Sequence, residues 1–185
     1  MAHRVWPWWL GYFLLNPLRR FGQNPTNILS PHVREGMTVL EPGPGMGFFT
    51  VELARLVGSS GCVIAGEIQP KMLARLKRGA AKAGLLDRLN VRLASPDSMK
   101  ISDLAGSVDF TLAFAVVHEF PDAARFFAEV AAASKPGACL LFAEPTGHVK
   151  SADFEAELKA ASRAGFMLAD RPSIRRSQAA LLRRT

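Results

Sequence analysis

Three glycines stand within five residues of the sequence, at Gly43, Gly45 and Gly47, and an acid, Glu67, follows twenty residues after the last of them. Glycine permits a backbone with positive φ and lets a ligand approach the main chain closely. A carboxylate at this distance can accept hydrogen bonds from both hydroxyls of a ribose. The glycines and the acid together predict a site for a ligand that carries a nucleoside.

The segments around these residues are typical of the elements that must position them. Residues 38–40 are β-branched or apolar, which predicts a buried parallel strand. Residues 48–57 predict a helix with one apolar face, and its N-terminus would point free N–H groups at a ligand. Residues 62–67 predict a second apolar strand that ends at the acid. The alternative is an ordinary strand–turn–helix in which the glycines serve only the turn.

A second acid, Glu41, is predicted at the end of the first strand, directly before the glycines. The third glycine comes one residue earlier than in the Gly-x-Gly-x-x-Gly pattern of dinucleotide sites. A carboxylate at this place would repel a pyrophosphate and attract a ligand that carries an ammonium group. S-adenosylmethionine (SAM) has an amino group and a sulfonium and no phosphate. The sequence therefore favours SAM over NAD as the ligand.

Motifs along the rest of the chain resemble those of the class I SAM-dependent methyltransferases in order and spacing. Residues 41–47 are similar to the family's first motif, and residues 67–73 resemble its ribose-binding acid and the helix that follows. Residues 96–98 stand where the family often has Gly-Asp-Ala, whose Asp reaches the adenine amino group. Three further segments resemble the fourth strand, the loop after it, and the turn with the fifth strand: 109–114, 117–122 and 135–145. The resemblance covers roughly residues 36–184.

The alternation of predicted strands and helices indicates an α/β fold, in which a parallel sheet carries helices on both faces. The resemblance implies a three-layer sandwich with a seven-stranded, mostly parallel sheet of order 3-2-1-4-5-7-6, formed by residues 36–185 as one domain. A turn at 135–137 is predicted to separate the helix at 122–134 from the fifth strand. Residues 166–172 and 177–183 are predicted as a closing antiparallel pair of strands. The remaining helices are predicted at 71–84, 122–134 and 152–164, and the remaining strands at 89–93, 107–116 and 138–144.

The resemblance also implies which residues hold SAM. Glu41 and the glycines would contact the methionine part, Glu67 the ribose, and Ile68 and Asp97 the adenine. The full set of cofactor-binding residues that it implies is Glu41, Gly43, Gly45, Gly47, Glu67, Ile68, Asp97, Ser98 and Phe114.

Two ionisable residues after the fourth strand are the candidates for chemistry at the methyl acceptor. Methyl transfer is an in-line displacement, so the protein aligns the reactants and, for some acceptors, removes a proton. Reacting groups are expected beyond the C-terminal ends of the strands. This places His118 and Glu119 at the mouth of strand four, and Glu144 and His148 near strand five. His118 and Glu119 are therefore the predicted catalytic residues, with His118 as a base or a substrate contact. The alternative is that both cap the next helix or line the pocket without chemistry.

The residues at the end of strand four also bear on the class of acceptor. Enzymes that methylate amino groups of nucleic acids carry Asn/Asp-Pro-Pro-Tyr/Phe there, whereas residues 115–118 read Ala-Val-Val-His. The Asp-Asn pair of metal-dependent catechol-type enzymes is also missing, so no metal is expected. We therefore expect a small-molecule or lipid-like acceptor rather than a nucleic acid. The alternatives are a SAM-binding module without turnover, an NAD-linked oxidoreductase and an RNA methyltransferase.

The net charge of +7 is concentrated at the two ends of the chain. Residues 1–34 contain four arginines and no acid, and residues 171–185 contain five arginines and no acid. Basic ends suggest an acidic substrate, an anionic membrane surface or RNA. Solubility alone would explain them equally well.

An aromatic segment precedes the predicted domain, since residues 5–15 hold all three tryptophans and the single tyrosine. No small-residue cleavage site follows it, which argues against a signal peptide. We expect residues 1–35 to form a lid segment that supplies aromatic walls to the cofactor pocket. The alternatives are simple packing on the sheet, or a surface helix that makes a peripheral membrane contact. No run of 18 apolar residues is present, and Cys62 and Cys139 are predicted as buried thiols, so the expected location is the cytoplasm.

Overall fold

Seven strands form one sheet in the part of the chain that the computed structural model describes, residues 22–185. The strands are β1 Thr38–Pro42, β2 Cys62–Glu67, β3 Leu89–Leu93, β4 Val108–Phe114, β5 Ser134–Pro145, β6 Phe166–Asp170 and β7 Ser177–Arg184. Their order in the sheet is β3-β2-β1-β4-β5-β7-β6. The first five run parallel, and β7 is antiparallel to both of its neighbours. The predicted strand order and the closing antiparallel pair are confirmed.

Helices cover both faces of this sheet. They are α1 Pro25–Leu29, α2 Thr50–Leu56, α3 Pro70–Lys82, α4 Ala123–Ala133 and α5 Ser151–Arg163. Successive strand residues point to opposite faces, so Val39 and Leu40 of β1 enter two different hydrophobic clusters. The cluster around Val39 receives α1 and α2, and the cluster around Leu40 receives α4 and α5. The predicted three layers are therefore confirmed.

A chain of phenylalanine rings fixes α4 and α5 against the sheet. Phe126 and Phe127 of α4 are edge to face, and Phe127 meets Phe142 of β5 in the same way with centroids 5.5 Å apart. Phe142 in turn stacks on Phe154 of α5 at 4.9 Å. All four rings are fully buried, and aromatic pairs of this geometry add to the stability that burial gives. Their packing fixes the position of α5 beside the carboxyl end of β5.

The structure shifts several predicted boundaries. Helix α2 begins at Thr50 rather than at residue 48, because the glycine turn, closed by Gly47 N–H donating to Pro44 O at 3.0 Å, extends to residue 49. Strand β4 ends at Phe114 rather than at residue 116, since Ala115 has a φ of 56°. Strand β6 ends at Asp170 instead of residue 172.

The turn predicted at residues 135–137 is wrong. These residues belong to β5, which starts at Ser134 opposite Val108 of β4. The register shifts between Val108 and Phe110, and Cys139 is the partner of Phe110. The extra residues of β5 are accommodated by this irregularity while the strand continues.

The two cysteines lie in β2 and β5 as predicted, but Cys62 and Cys139 are half-buried rather than buried. Cys62 is the first residue of its strand, where the amino edge of the sheet begins. Both thiols are free.

The predicted lid, residues 1–35, lies mainly outside the described residues, which begin at residue 22. The part that is described packs on the protein. Asn24 caps α1 by accepting from Thr26 N–H, and the Thr26 hydroxyl donates to Glu52 of α2 at 2.8 Å. Leu29 of α1 is fully buried in the same hydrophobic cluster as Leu53 of α2. No helix among the described residues has the length and apolar character needed to cross a membrane. The lid function of residues 1–35 stays a prediction.

Candidate functional site

The glycine loop lies at the carboxyl edge of the sheet, between β1 and α2. Glu41 and Pro42 end β1 in register with Ala65 and Gly66 of β2, and Gly43 N–H donates to Gly66 O at 2.9 Å. The parallel pairing of β1 with β2 therefore brings the loop to the end of the strand that carries the predicted ribose acid.

The three glycines of the loop have positive φ, at 62° for Gly43, 55° for Gly45 and 96° for Gly47. A side chain at Gly43 would collide with Val116, so this position is closed by the protein itself. A Cβ built on Gly45 would meet no atom of the described residues within 4 Å. Gly45 is therefore the place where a ligand can approach the main chain.

Glu67 lies beside that open position. Its side chain is almost buried, and its Oε2 accepts from Gly45 N–H at 3.2 Å while Oε1 accepts from Gln69 N–H at 3.0 Å. Burial raises the pKa of this carboxyl, and hydrogen bonds from Gln69, Ile68 and Gly45 N–H groups offset part of the rise. Each carboxylate oxygen retains a further lone pair, so Glu67 can also accept from ligand hydroxyls.

Glu41 is a buried acid with an unused oxygen. It is 3% exposed, and its Oε2 has no hydrogen-bond partner among the described residues. Burial raises the pKa of this carboxyl to about 8, and the nearby Thr50 hydroxyl offsets the rise only in part. Thr50 Oγ1 itself forms no hydrogen bond of normal geometry with residues 22–185. A buried carboxylate is costly without a partner, so Glu41 fits a ligand that brings a positive charge, as the amino group of SAM does.

The residues predicted to contact adenine lie at the ends of β2 and β3. Ile68 is half-buried and follows the ribose acid directly. Asp97 is largely exposed, with Oδ2 at 3.9 Å from Nη1 of Arg125. Ser98 Oγ donates to Glu129 at 3.4 Å, which ties the loop to α4. The contact of Asp97 and Ser98 with adenine stays a prediction.

Phe114, the last residue of β4, borders the same edge. Its ring is half-buried and lies 4.6 Å from the ring of Phe49, which precedes α2. Ala115 then turns the chain with a positive φ, which is unusual for a residue other than glycine. This turn directs the chain into the segment that holds the predicted catalytic residues.

His118 and Glu119 lie in a single 3₁₀ turn, Val117–Glu119, at this edge. The fully buried Glu144, at the end of β5, accepts from Val117 N–H at 2.8 Å and contacts His118 Nδ1 at 2.5 Å. The role of capping α4 belongs to Asp122, whose Oδ1 accepts from the first N–H groups of that helix. The alternative in which His118 or Glu119 caps the helix is therefore excluded.

Three carboxyl groups surround His118. Burial alone would lower the pKa of His118, but the hydrogen bond and charge of Glu144, with the charges of Glu119 and Glu157, raise it above the ordinary value. Burial raises the pKa of Glu119, with His118 opposing and Glu67 and Glu144 adding to the rise. Burial also raises the pKa of Glu157, on α5, to about 7, and its Oε2 has no hydrogen-bond partner in residues 22–185.

No group of side chains among residues 22–185 is arranged to hold a metal ion.

The sequence placed Glu144 near the end of strand five without giving it a role, and it did not single out Glu157. An acid inside an otherwise apolar strand was the available signal for Glu144. Glu157 lies within an exposed stretch of α5 and carries no motif, so only the packing of that helix reveals it.

Comparisons with known proteins agree with this geometry. A family model described as a methyltransferase domain matches residues 33–173. The structure of a SAM-dependent methyltransferase from Aquifex aeolicus is similar at 22% identity and a TM-score of 0.84, covering 97% of this chain and 98% of that one. A SAM-dependent O-methyltransferase from Thermotoga maritima is similar at 20% identity and a TM-score of 0.69, over 88% of this chain and 64% of that one.

A curated relative extends the comparison to sequence. The ribosomal RNA small subunit methyltransferase A of Rubrobacter xylanophilus is 36% identical over 90 residues, which cover 45% of this chain. The match spans 31% of that protein, so less than a third of its length is shared. The solved structures show the fold, and the family model shows the family. The chain therefore belongs to the methyltransferase domain family, with the class I fold and with S-adenosylmethionine as the cofactor that this membership implies.

Proposed function

We propose that the protein transfers a methyl group from SAM to a small-molecule or lipid-like acceptor. The observation that carries the choice of SAM as the donor is Glu41, a buried carboxyl with an unpartnered oxygen, which precedes the open main chain at Gly45 by four residues. A site that binds phosphate would place N–H groups and cations there. An acid at this position instead favours a cationic ligand without phosphate, which disfavours an NAD-linked oxidoreductase.

Each residue of the edge then has a role. Glu41 would hold the amino group of SAM, and SAM would lie against the main chain at Gly45. Glu67 would accept hydrogen bonds from the ribose hydroxyls. Ile68 and Asp97 would contact the adenine. When bound, SAM supplies an activated methyl group, whose bond to sulfur breaks as the acceptor attacks the methyl carbon.

The acceptor side is the end of β4. Val116 and Val117 are buried, and Ala115 has no polar side chain, so these three residues offer no hydrogen-bonding side chain to a nucleobase. His118 and Glu119 follow them directly and would contact the acceptor. The apolar side chains of residues 115–117 support a small or lipid-like acceptor.

RNA methylation is the second candidate. Two observations favour it: the similarity of 90 residues to a ribosomal RNA methyltransferase, and the arginines of residues 171–185. Phosphate contacts made by such arginines would weaken steeply with salt. A third outcome, a protein that binds SAM without turnover, is distinguished from both by experiment.

The experiment combines binding with transfer of a labelled methyl group. Calorimetric titration with SAM is expected to show binding, and the Glu41→Gln variant is expected to bind more weakly. Methyl-labelled SAM is then incubated with the protein and, separately, with lipid, small-molecule and total RNA extracts. Label in the lipid or small-molecule fraction supports the proposal, and label in RNA supports the second candidate. SAM binding without label in any fraction indicates a binding module, and absence of SAM binding overturns both candidates.

We further propose that the protein works in the cytoplasm, since SAM would not be supplied to a secreted enzyme. A peripheral membrane contact through residues 1–21 fits a lipid-like acceptor. Sedimentation with anionic vesicles tests it, with a variant lacking residues 1–21 as the control; equal sedimentation of both would contradict it.

A further inference from the structure

The carboxylate of Glu144 is committed on both oxygens to the turn that carries His118. Its Oε1 accepts from Val117 N–H at 2.8 Å and from His118 N–H at 3.2 Å. Its Oε2 lies 2.5 Å from His118 Nδ1. The side chain is fully buried at the end of β5, so the position of these oxygens is fixed by the sheet. The orientation of the His118 ring therefore depends on a residue of the neighbouring strand.

The contact also decides which ring nitrogen carries a proton. An ionised carboxylate only accepts hydrogen bonds, so the partner nitrogen, Nδ1, must donate. In neutral His118 the other nitrogen, Nε2, is then free of a proton and is an acceptor. The side chain of His118 is 23% exposed, and no described residue hydrogen-bonds to Nε2. Nε2 is thus available to a molecule that enters the acceptor side.

We propose that Glu144 is a positioning residue, which holds His118 with Nδ1 protonated so that Nε2 receives the proton that the methyl acceptor loses. This inference rests on the proposed function. The acceptor's lone pair bonds to the methyl carbon, the former carbon–sulfur pair remains on sulfur, and the acceptor's proton passes to Nε2. The class of acceptor is therefore one whose attacking atom carries a hydrogen.

The charges around His118 support this direction of proton transfer. The groups that face the ring are Glu144 of β5, Glu119 of the same turn and Glu157 of α5. Protonation of Nε2 gives an imidazolium next to a buried carboxylate, which stabilises the charged ring. The same arrangement in general-base catalysis fixes both the tautomer and the orientation of the base.

A Glu144→Gln substitution separates this role from simple anchoring of the turn. The glutamine carbonyl can still accept from the N–H groups of Val117 and His118, so the turn keeps its support. Its amide NH₂ would face Nδ1 and donate to it, which places the proton of neutral His118 on Nε2. The Glu144→Asp substitution keeps the negative charge and is the conservative comparison.

The test is nitrogen NMR of the histidine rings in protein with ¹⁵N-labelled histidine, with His118 assigned from the spectrum of a His118→Asn variant. We expect the wild-type ring in the Nδ1–H form when neutral, and the ring of the Glu144→Gln variant in the Nε2–H form with a lower pKa. The Glu144→Asp variant should retain the wild-type form. An Nε2–H form in the wild-type protein overturns the inference, and so does an unchanged form in a folded Glu144→Gln variant. The wild-type spectrum alone decides if the variant does not fold.

Turnover provides the second readout once an acceptor is known. Loss of a positioned base costs roughly 10²- to 10⁴-fold in rate, so we expect Glu144→Gln to lower kcat in that range while the Kd for SAM changes little. If the wild-type protein transfers no methyl group, the proposed function fails, whereas the tautomer result still stands. If the wild-type protein is active and Glu144→Gln has the same kcat, this inference alone fails.

Discussion

The main-chain N–H of Gly45 donates to Oε2 of Glu67 at 3.2 Å, which joins the loop after β1 to the last residue of β2. The predicted ribose acid therefore holds the open glycine in place while its other oxygen is supported by Gln69 N–H. Because both contacts are to main chain, the acid and the loop are positioned together by the pairing of two parallel strands. A substitution at Glu67 is therefore expected to alter the position of the glycine loop as well as the binding of the ligand.

Replacement of Glu67 by alanine should weaken SAM binding strongly. The substitution removes the acceptor for the ribose hydroxyls and frees the Gly45 N–H, and hydrogen bonds to a charged group contribute about 1.5 to 3 kcal/mol each. We expect the Kd for SAM to rise about 10- to 100-fold, as measured by calorimetry. Glu155→Ala is the control, since this exposed acid of α5 pairs with Arg171 away from the loop. Equal affinities of the Glu67→Ala and Glu155→Ala proteins would count against the ribose role.

The buried carboxyl of Glu41 predicts that SAM binding depends on pH. With a pKa of about 8 in the unliganded protein, this group is mostly protonated at neutral pH. It must lose its proton to pair with an ammonium group. We therefore expect SAM affinity to increase as the pH rises from about 6 to 7.5, by up to about tenfold per pH unit. Calorimetry in two buffers of different ionisation enthalpy should show proton release on binding.

Glu41→Gln is the control for this pH dependence, because the amide keeps the shape of the side chain and does not titrate. In that variant SAM should bind weakly, with little change across the same pH range and no proton release from position 41. A wild-type affinity that is flat with pH would contradict the assignment of Glu41 as the partner of the cation.

The same carboxyl predicts how stability without SAM varies with pH. The pKa of Glu41 is raised on folding from an ordinary value of 4.5 to about 8. An acid with a raised pKa contributes stability that is present below the unfolded value and is lost as the pH rises through the folded value. Between pH 6 and 8 the wild-type protein should lose about 2 to 3 kcal/mol more unfolding free energy than Glu41→Gln. Urea unfolding of both proteins measures the difference, and parallel pH profiles would refute it.

Strands β1 and β2 were predictable because each is an apolar run, rich in β-branched residues, that ends at or next to an acid, Glu41 or Glu67. The order of the strands in the sheet was predicted from the motif resemblance. The false turn at 135–137 had a strong local signal, Lys-Pro-Gly. Tertiary contacts override it: Lys135 Nζ lies 2.5 Å from Asp109 Oδ1, and Asp109 Oδ2 accepts from Thr38 N–H. These contacts join the start of β5 to β4 and β1. They cannot be predicted from the local sequence around residues 135–137, because the partners are far apart in the chain.

The meeting of the glycine loop with Glu67 was predictable from sequence, whereas the contacts around His118 were predictable only in part. Gly45 and Glu67 belong to one βαβ unit, whose spacing is set by local geometry. His118 and Glu144 stand 26 positions apart and meet because β4 pairs with β5. Glu157 reaches the same corner only through the packing of α5. Such contacts depend on the assembled sheet and leave no spacing pattern in the chain.

Two glycines with similar backbones give the sharpest test of the cofactor loop. Gly45 and Gly84 both have positive φ, 55° and 67°, and a Cβ at either would meet no described atom within 4 Å. Alanine at either position should therefore cost a similar amount of stability, about 1 to 2 kcal/mol of backbone strain. Gly84 follows α3 and is not among the residues predicted to hold the cofactor.

Only the Gly45→Ala substitution should affect SAM, because its methyl group would occupy the space through which the ligand approaches the main chain. We expect the Kd for SAM to rise at least about tenfold for Gly45→Ala and to stay within about twofold for Gly84→Ala. Thermal unfolding and calorimetry on both variants separate strain from binding. Equal SAM affinity in the two variants would mean that the open space at Gly45 does not hold the cofactor, since the strain is the same in both.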